Sequence, residues 1–260
     1  MKWDPERYLQ FADYRDRPFF DLATRIGAGQ PESGPAWVAD LGCGTGALTA
    51  VLADRWPTSP VIGIDSSEDM IREAHARSGR NLSFAQGRIQ DWNPLPGPGV
   101  LLSNAALQWV PGHMDLLDRW AKALEPGSWI AVQVPGNFGA PSHALMRELA
   151  ASPRYAQALA GVLRGTDSVA EPGEYLELFV DAGMAADVWE TSYSQVLDGP
   201  DPVLDWVRGT ALRPVMQALE PDEYRAFEAE YAALLRQAYP PKSWGTVMPF
   251  RRIFMVAHKP

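Results

Sequence analysis

The run Asp40-Leu41-Gly42-Cys43-Gly44-Thr45-Gly46 sets a carboxylate two residues ahead of three alternating glycines, and a second carboxylate, Asp65, stands 25 residues after the first. Glycines so spaced let the backbone approach a ligand closely, through dihedrals that side chains disfavour. The Gly-x-Gly-x-x-Gly loop of dinucleotide enzymes aims helix amides at a pyrophosphate. Here the spacing is Gly-x-Gly-x-Gly, one residue shorter, and Asp40 would repel a phosphate. A ligand without phosphate and with positive charge suits that acid, reached directly or through a water. Asp65 suits two ribose hydroxyls, which a carboxylate accepts in bidentate fashion. S-adenosylmethionine carries an ammonium, a sulfonium and a ribose, and so satisfies both conditions. Cys43, between glycines and with no histidine near it in sequence, reads as a small inert residue rather than a nucleophile.

Such a loop needs a strand before it and a helix after it. Short apolar runs at Trp37-Val38-Ala39-Asp40-Leu41, Val61 to Asp65, Leu82 to Ala85, Val100 to Leu102 and Trp129 to Gln133 alternate with helix-period segments, the pattern of a parallel sheet built from βαβ units. Helices are expected from near Ala47, over Glu68 to Arg77, and over Asp115 to Leu124, where Leu116, Leu117, Trp120, Ala121 and Leu124 share a stripe. In an open sheet of this kind, ligands sit at the carboxyl ends of the strands, where Asp40 and Asp65 both lie.

Outside this core, Phe19, Leu22, Ala23 and Ile26 form a helical stripe after Arg17-Pro18. Residues 142–182 read as helical, punctuated by Pro153 and Pro172; Trp189 to Val196 and Arg252 to Ala257 read as strands. Between them, Tyr224, Phe227, Tyr231, Leu234, Leu235 and Ala238 trace the face of a helical insertion. The expectation is one domain over 1–260, with a cofactor-binding core over 35–135, an N-terminal helical segment over 1–30 and an insertion over 200–240, the last two closing as a lid.

The chain carries 32 acidic and 23 basic side chains, a net charge of −9, which argues against nucleic acid or an anionic membrane as partner. A hydrophobic content of 46% marks a globular chain, and the single cysteine fits a reducing cytoplasm. No apolar run approaches the roughly 18 residues of a membrane span. His75, His113, His143 and His258 lack metal-ligand spacing and read as structural or exposed, so no metal is expected.

The glycine loop, Gly63-Ile64-Asp65-Ser66-Ser67 and Gln86-Gly87-Arg88-Ile89-Gln90-Asp91-Trp92 resemble the three signature segments of class I S-adenosylmethionine-dependent methyltransferases. The resemblance implies a Rossmann-like α/β fold with a seven-stranded, mostly parallel mixed sheet and helices on both faces. It implies cofactor contacts from Asp40, Gly42, Gly44, Gly46 and Asp65, with Ser66 and Met70 at the adenine. By the same resemblance Asp91 holds the adenine amino group, Ile89 or Trp92 lies against the ring, and Asn104 lies under the methionine part.

A narrower resemblance, to trans-aconitate 2-methyltransferases, spans nearly the whole chain. It rests on Trp3-Asp4-Pro5 through Phe11, Arg15-x-Arg17-Pro18, Asn104-Ala105-Ala106-Leu107-Gln108-Trp109, Gln133 to Phe138, Asp205-Trp206-Val207, Leu212-Arg213-Pro214 and Phe250-Arg251-Arg252-Ile253-Phe254. The implied reaction makes a monomethyl ester of a small tricarboxylate and S-adenosylhomocysteine. A carboxylate is already ionised at neutral pH, so no catalytic acid, base or covalent nucleophile is expected, only positioning. A trianion needs cations, and the candidate clamps are Arg15, Arg17, Arg213, Arg251 and Arg252. Tyr8, Gln108, Gln133, Asn137 and Trp206 are candidate neutral donors, with Trp109 as an apolar wall. Other small or carrier-bound acids, a nicotinamide-dependent dehydrogenase and a non-catalytic cofactor binder are the alternatives, and the oligomeric state is open.

Overall fold

The structure is a computed structural model that describes residues 16–27, 34–165, 168–209 and 211–260. Tyr8 and Arg15 lie outside the described residues. Seven strands form one sheet in the order β3-β2-β1-β4-β5-β7-β6. They are β1 (Val38–Leu41), β2 (Val61–Asp65), β3 (Leu82–Gln86), β4 (Val100–Asn104), β5 (Trp129–Pro135), β6 (Ala185–Leu197) and β7 (Thr246–His258). Strands β1 to β5 pair in parallel, with Asp40 beside Gly63 and Asn104 beside Gln133. Strand β7 runs against β5: Gly127, just before β5, donates to the Lys259 carbonyl, while Gly136, just after it, donates to that of Arg251. The sheet is therefore mixed, and its chain order reverses direction between β1 and β4, the switch point where such sheets bind ligands.

The described residues of the chain divide into two compact units. The first takes in Met1–Val134, Ala170–Thr191 and Arg252–Pro260; the second takes in Pro135–Val169 and Ser192–Arg251. In the first unit β1 and β4 are buried along nearly their whole length, which is why their sequences are runs of apolar residues rather than alternations. Helix α1 (Arg17–Ala23) buries Phe19, Phe20, Leu22 and Ala23. Arg55, in the last turn of α2 (Ala47–Arg55), ties α1 down by donating to the carbonyls of Ala23 and Ile26. Helix α3 (Glu68–Ala74) is capped by the Ser67 hydroxyl and continues as a 3₁₀ turn to Arg77, and α4 (His113–Ala123) buries the predicted stripe with Trp120 fully enclosed.

Residues 142–182, expected to be helical, resolve into α5 (Pro141–Ala150) and α6 (Pro172–Asp181), with turns between them. Pro172 stands in the first turn of α6, where its missing N–H costs nothing, and Glu174 accepts from the Glu171 amide to close that end. The expected insertion is three helices, α7 (Pro202–Arg208), α8 (Arg213–Ala218) and α9 (Pro221–Ala238), each starting on a proline in its first turn. With Met146, Tyr155 and Leu159 they enclose a core centred on Phe227, Tyr231 and Leu235. Strands β6 and β7 are longer than the apolar runs predict, because their outer halves are partly exposed and carry polar residues. Among the described residues no helix is long and apolar enough to cross a membrane.

Candidate functional site

The carboxyl ends of the first four strands surround a cavity of about 520 Å³ lined by Gly42, Asp65, Ser66, Ile89, Ala106 and Trp109, among others. That volume lies within the roughly 300–1,000 Å³ of small-molecule sites. Gly42 has φ 85°, and a Cβ there would stand 2.3 Å from the Cβ of Ala106, so only glycine lets the loops after β1 and β4 meet. Across from it, Ala105 is the one described non-glycine residue with positive φ, at 55°. The Ala105 amide donates to the Gln133 carbonyl at 2.9 Å, and its own carbonyl accepts from Gln108 Nε2 at 2.6 Å. These bonds hold a strained turn open at the cavity wall.

Asp65 stands at the cavity with both carboxylate oxygens oriented: Oδ2 accepts from the Gly44 amide at 3.0 Å, and Oδ1 from the Ser67 amide at 2.9 Å. Each oxygen keeps a lone pair for a ligand hydroxyl. Asn104, which ends β4, has a buried Oδ1 with no hydrogen-bond partner among the described residues, an acceptor suited to an ammonium. Behind them Asp40 is 3% exposed and accepts from Thr49 Oγ1 at 2.6 Å. Burial, and secondarily the charge of Asp65, push its carboxyl up to about 6, against the lowering effect of the Thr49 bond. A diol acceptor at the cavity, an unmatched carbonyl oxygen at the end of β4 and a second acid enclosed after β1 are acceptors that a cationic nucleoside can use, and S-adenosylmethionine fits them.

The remaining cofactor candidates divide. Ser66 and Ile89 line the cavity. Trp92 does not: its ring packs edge-on against Trp37 and Trp120, 5.6 and 5.8 Å between centroids, so of the two residues expected at the adenine Ile89 is the one at the cavity. Met70 is largely exposed, and Asp91 lies 3.8 Å from Arg88 on the surface. Gly46 caps α2 rather than lining the cavity, and Gly44 contributes its amide to Asp65. Arg88, Gln90 and Val110 line the cavity without having been singled out; Arg88 and Gln90 flank Ile89 in the signature segment, which was the available signal. Cys43 is partly buried, and burial raises its thiol well above the ordinary range, which fits an inert residue.

Of the substrate candidates in the first unit, Arg252 is buried and donates to Gln133 Oε1 at 3.4 Å. Gln133 is fully buried, and its Nε2 has no hydrogen-bond partner among the described residues. Gln108 spends its amide on Ala105, Trp109 lines the cavity at 53% exposure, and Arg17 is exposed 3.7 Å from Asp21. In the second unit Asn137 Oδ1 accepts from the Arg251 amide at 2.7 Å, Trp206 packs on Phe250, and Arg213 is exposed at the start of α8.

A family model described as a methyltransferase domain matches residues 38–127. A trans-aconitate 2-methyltransferase of Streptomyces avermitilis is 51% identical, covering 99% of this chain and 97% of its own. One from Mycobacterium tuberculosis is 47% identical over 98% and 96% of the two chains. Among solved structures, geranyl diphosphate C-methyltransferase of Streptomyces coelicolor with S-adenosylhomocysteine aligns at TM-score 0.51 and 16% identity, over 94% of this chain and 79% of that one. A phosphoethanolamine methyltransferase of Haemonchus contortus, also with S-adenosylhomocysteine, gives TM-score 0.52 and 14% identity over 94% and 52%. These two likenesses concern the fold.

Proposed function

Because the chain belongs to the trans-aconitate 2-methyltransferase family, we propose that it methylates one carboxylate of trans-aconitate and that the first unit holds the cofactor. The observation that carries the cofactor half is the pair of backbone amides fixing the Asp65 carboxylate at the cavity, and the unmatched Asn104 Oδ1 at the end of β4 supports it. When bound, S-adenosylmethionine supplies a methyl group activated by its sulfonium. Asp65 accepts the two ribose hydroxyls, Ser66 and Ile89 flank the adenine, and Asn104 Oδ1 accepts from the ammonium. Asp40, buried behind the loop, adds negative potential toward the same cation.

The substrate arrives ionised, so the chain has no proton to remove. Its residues instead supply positive potential and alignment, holding a carboxylate oxygen in line with the methyl carbon and keeping water out. Arg252 with Gln133 is the first candidate to hold it: a buried guanidinium on a buried amide, at the carboxyl end of β5 where sheet ligands bind. A few such cations let an acidic chain accept a trianion, since local potential can oppose the net field. A cytoplasmic location belongs to the same reading, and cell fractionation tests it.

Methyl-labelled S-adenosylmethionine offered with trans-aconitate, cis-aconitate, citrate and isopropylmalate decides the reaction. Label should pass preferentially to trans-aconitate as a base-labile ester. No transfer to any acid rejects the function, and tight binding of NAD without binding of S-adenosylhomocysteine rejects the cofactor.

A further inference from the structure

One wall of the cofactor cavity is the short segment that joins β4 to α4, and its first residue is the strained one. Ala105, with φ 55°, lines the cavity together with Ala106, Trp109 and Val110. A residue with a Cβ stays in that left-handed region only where its surroundings hold it there. Here two hydrogen bonds do so. The Ala105 amide donates to the Gln133 carbonyl at 2.9 Å, and Gln108 Nε2, from three residues further on, donates to the Ala105 carbonyl at 2.6 Å. Gln108 is buried in the 3₁₀ turn Leu107–Trp109, whose backbone is closed by the Trp109 amide on the Ala106 carbonyl and the Val110 amide on that of Leu107. The far end of the segment is anchored separately. His113, at the start of α4, is hydrogen-bonded to the Val110 backbone and lies 2.7 Å from Tyr175 Oη on α6.

The strained turn bears on the glycine loop. Ala106 stands so near Gly42 that a Cβ on the glycine would lie 2.3 Å from the Cβ of Ala106. The Gly42 amide donates to the Ile64 carbonyl at 2.7 Å, and two residues further the Gly44 amide holds Asp65 Oδ2 at 3.0 Å. Rotation of Ala105 into an ordinary backbone region would carry Ala106 with it and change the contact on which the loop is seated. That loop orients the ribose acceptor. Glycine and alanine at the contact leave no flexible side chain to absorb the change.

We propose that Gln108 is a positioning residue for the cofactor: by bonding the Ala105 carbonyl it keeps the left-handed turn populated, and with it the cavity in its binding-competent shape. This deepens the cofactor reading given above and rests on it. In this role the Gln108 amide serves the backbone rather than a substrate carboxylate. Without the bond Ala105 relaxes, the competent fraction of the free protein falls, and apparent affinity falls by the same factor. Glycine reaches φ 55° without the Cβ penalty, so a chain with glycine at 105 has little need of the bond.

Gln108→Met, which keeps the length of the side chain and removes the donor, tests this in two backgrounds, Ala105 and Ala105→Gly, by isothermal titration of S-adenosylhomocysteine. The substitution should raise Kd about tenfold in the Ala105 background and less than threefold in the Ala105→Gly background. KM for trans-aconitate at saturating cofactor should change less than Kd does. Gln108→Glu, which keeps the shape and turns the donor into an acceptor, reads the same difference if Gln108→Met does not fold. An equal loss in both backgrounds overturns action through Ala105 and leaves the cofactor site standing. A Kd within twofold of wild type in the Ala105 background overturns the positioning role, as does a rise in KM larger than the rise in Kd, which would make Gln108 a substrate donor. Wild type that binds no S-adenosylhomocysteine removes the cofactor reading, and this inference with it.

Discussion

Asp40→Asn should make the ligand-free protein more stable at neutral pH while weakening its hold on the cofactor. Asp40 is enclosed and accepts from Thr49 Oγ1, and a second acid, Asp65, is near enough to raise its pKa further. Its carboxyl moves from 3.8 to about 6. That rise corresponds to roughly 3 kcal/mol. A carboxyl group whose folded-state pKa is raised binds its proton more tightly in the folded chain, so wild type loses stability as pH climbs from about 3.8 and has lost the full amount above about 6. Asparagine carries no such penalty and still accepts from Thr49, but its new N–H₂ donors cost about 1 kcal/mol if one stays unmatched. The net expectation is a ligand-free variant more stable by about 2 kcal/mol at pH 7, a rise of roughly 4–8 °C in Tm. That advantage should vanish near pH 4, where wild-type Asp40 is protonated in the folded state. Urea or thermal unfolding of both proteins without cofactor, from pH 4 to pH 8, measures it. Affinity for S-adenosylhomocysteine should fall about tenfold, about 1.4 kcal/mol, because the ammonium loses a nearby charge. A stability difference that does not change with pH would refute the claim that this carboxylate is held at a cost, and unchanged affinity would refute its action on the cofactor.

Three further outcomes follow from the same geometry. Asp65→Asn should raise the Kd of S-adenosylhomocysteine by roughly 10- to 100-fold, since one charged acceptor becomes a donor and the Gly44 or Ser67 amide loses its partner; isothermal titration checks it. Gly42→Ala combines a positive φ with a Cβ 2.3 Å from that of Ala106 and should cost about 2–4 kcal/mol of stability, read in urea unfolding, with cofactor binding weakened alongside. Arg252→Met should lower kcat/KM for trans-aconitate by about 10- to 100-fold while the Kd of S-adenosylhomocysteine stays within twofold, and steady-state kinetics with a parallel binding titration separate the two.

Much of the first unit was legible because its signals are local. Asp65 could be assigned a ribose-like partner from its place at a strand end, and the amides of Gly44 and Ser67 that fix it lie in the two segments singled out by their residues. The parallel strands were visible as apolar runs because burial on both faces leaves no room for polar residues. Trp92 was less legible, since its sequence position allows either a ligand contact or a core contact. Only the presence of Trp37 and Trp120 on either side decides for the core. Residues 142–182 read as helical with breaks at Pro153 and Pro172, and helical periodicity does not reveal that the chain between Ala150 and Pro172 is mostly turns.

The sequence by itself determined the βαβ core, the loop that must be glycine and the two acids placed for a cationic nucleoside, because strand period, backbone freedom and charge are written in neighbouring residues. Tertiary structure alone decided that Asp40 is enclosed rather than at the cavity, and that His143, read as structural or exposed, shares Phe138 with Arg164. Those facts depend on contacts between residues distant in the chain, and the burial and charge they create appear only when the chain has folded.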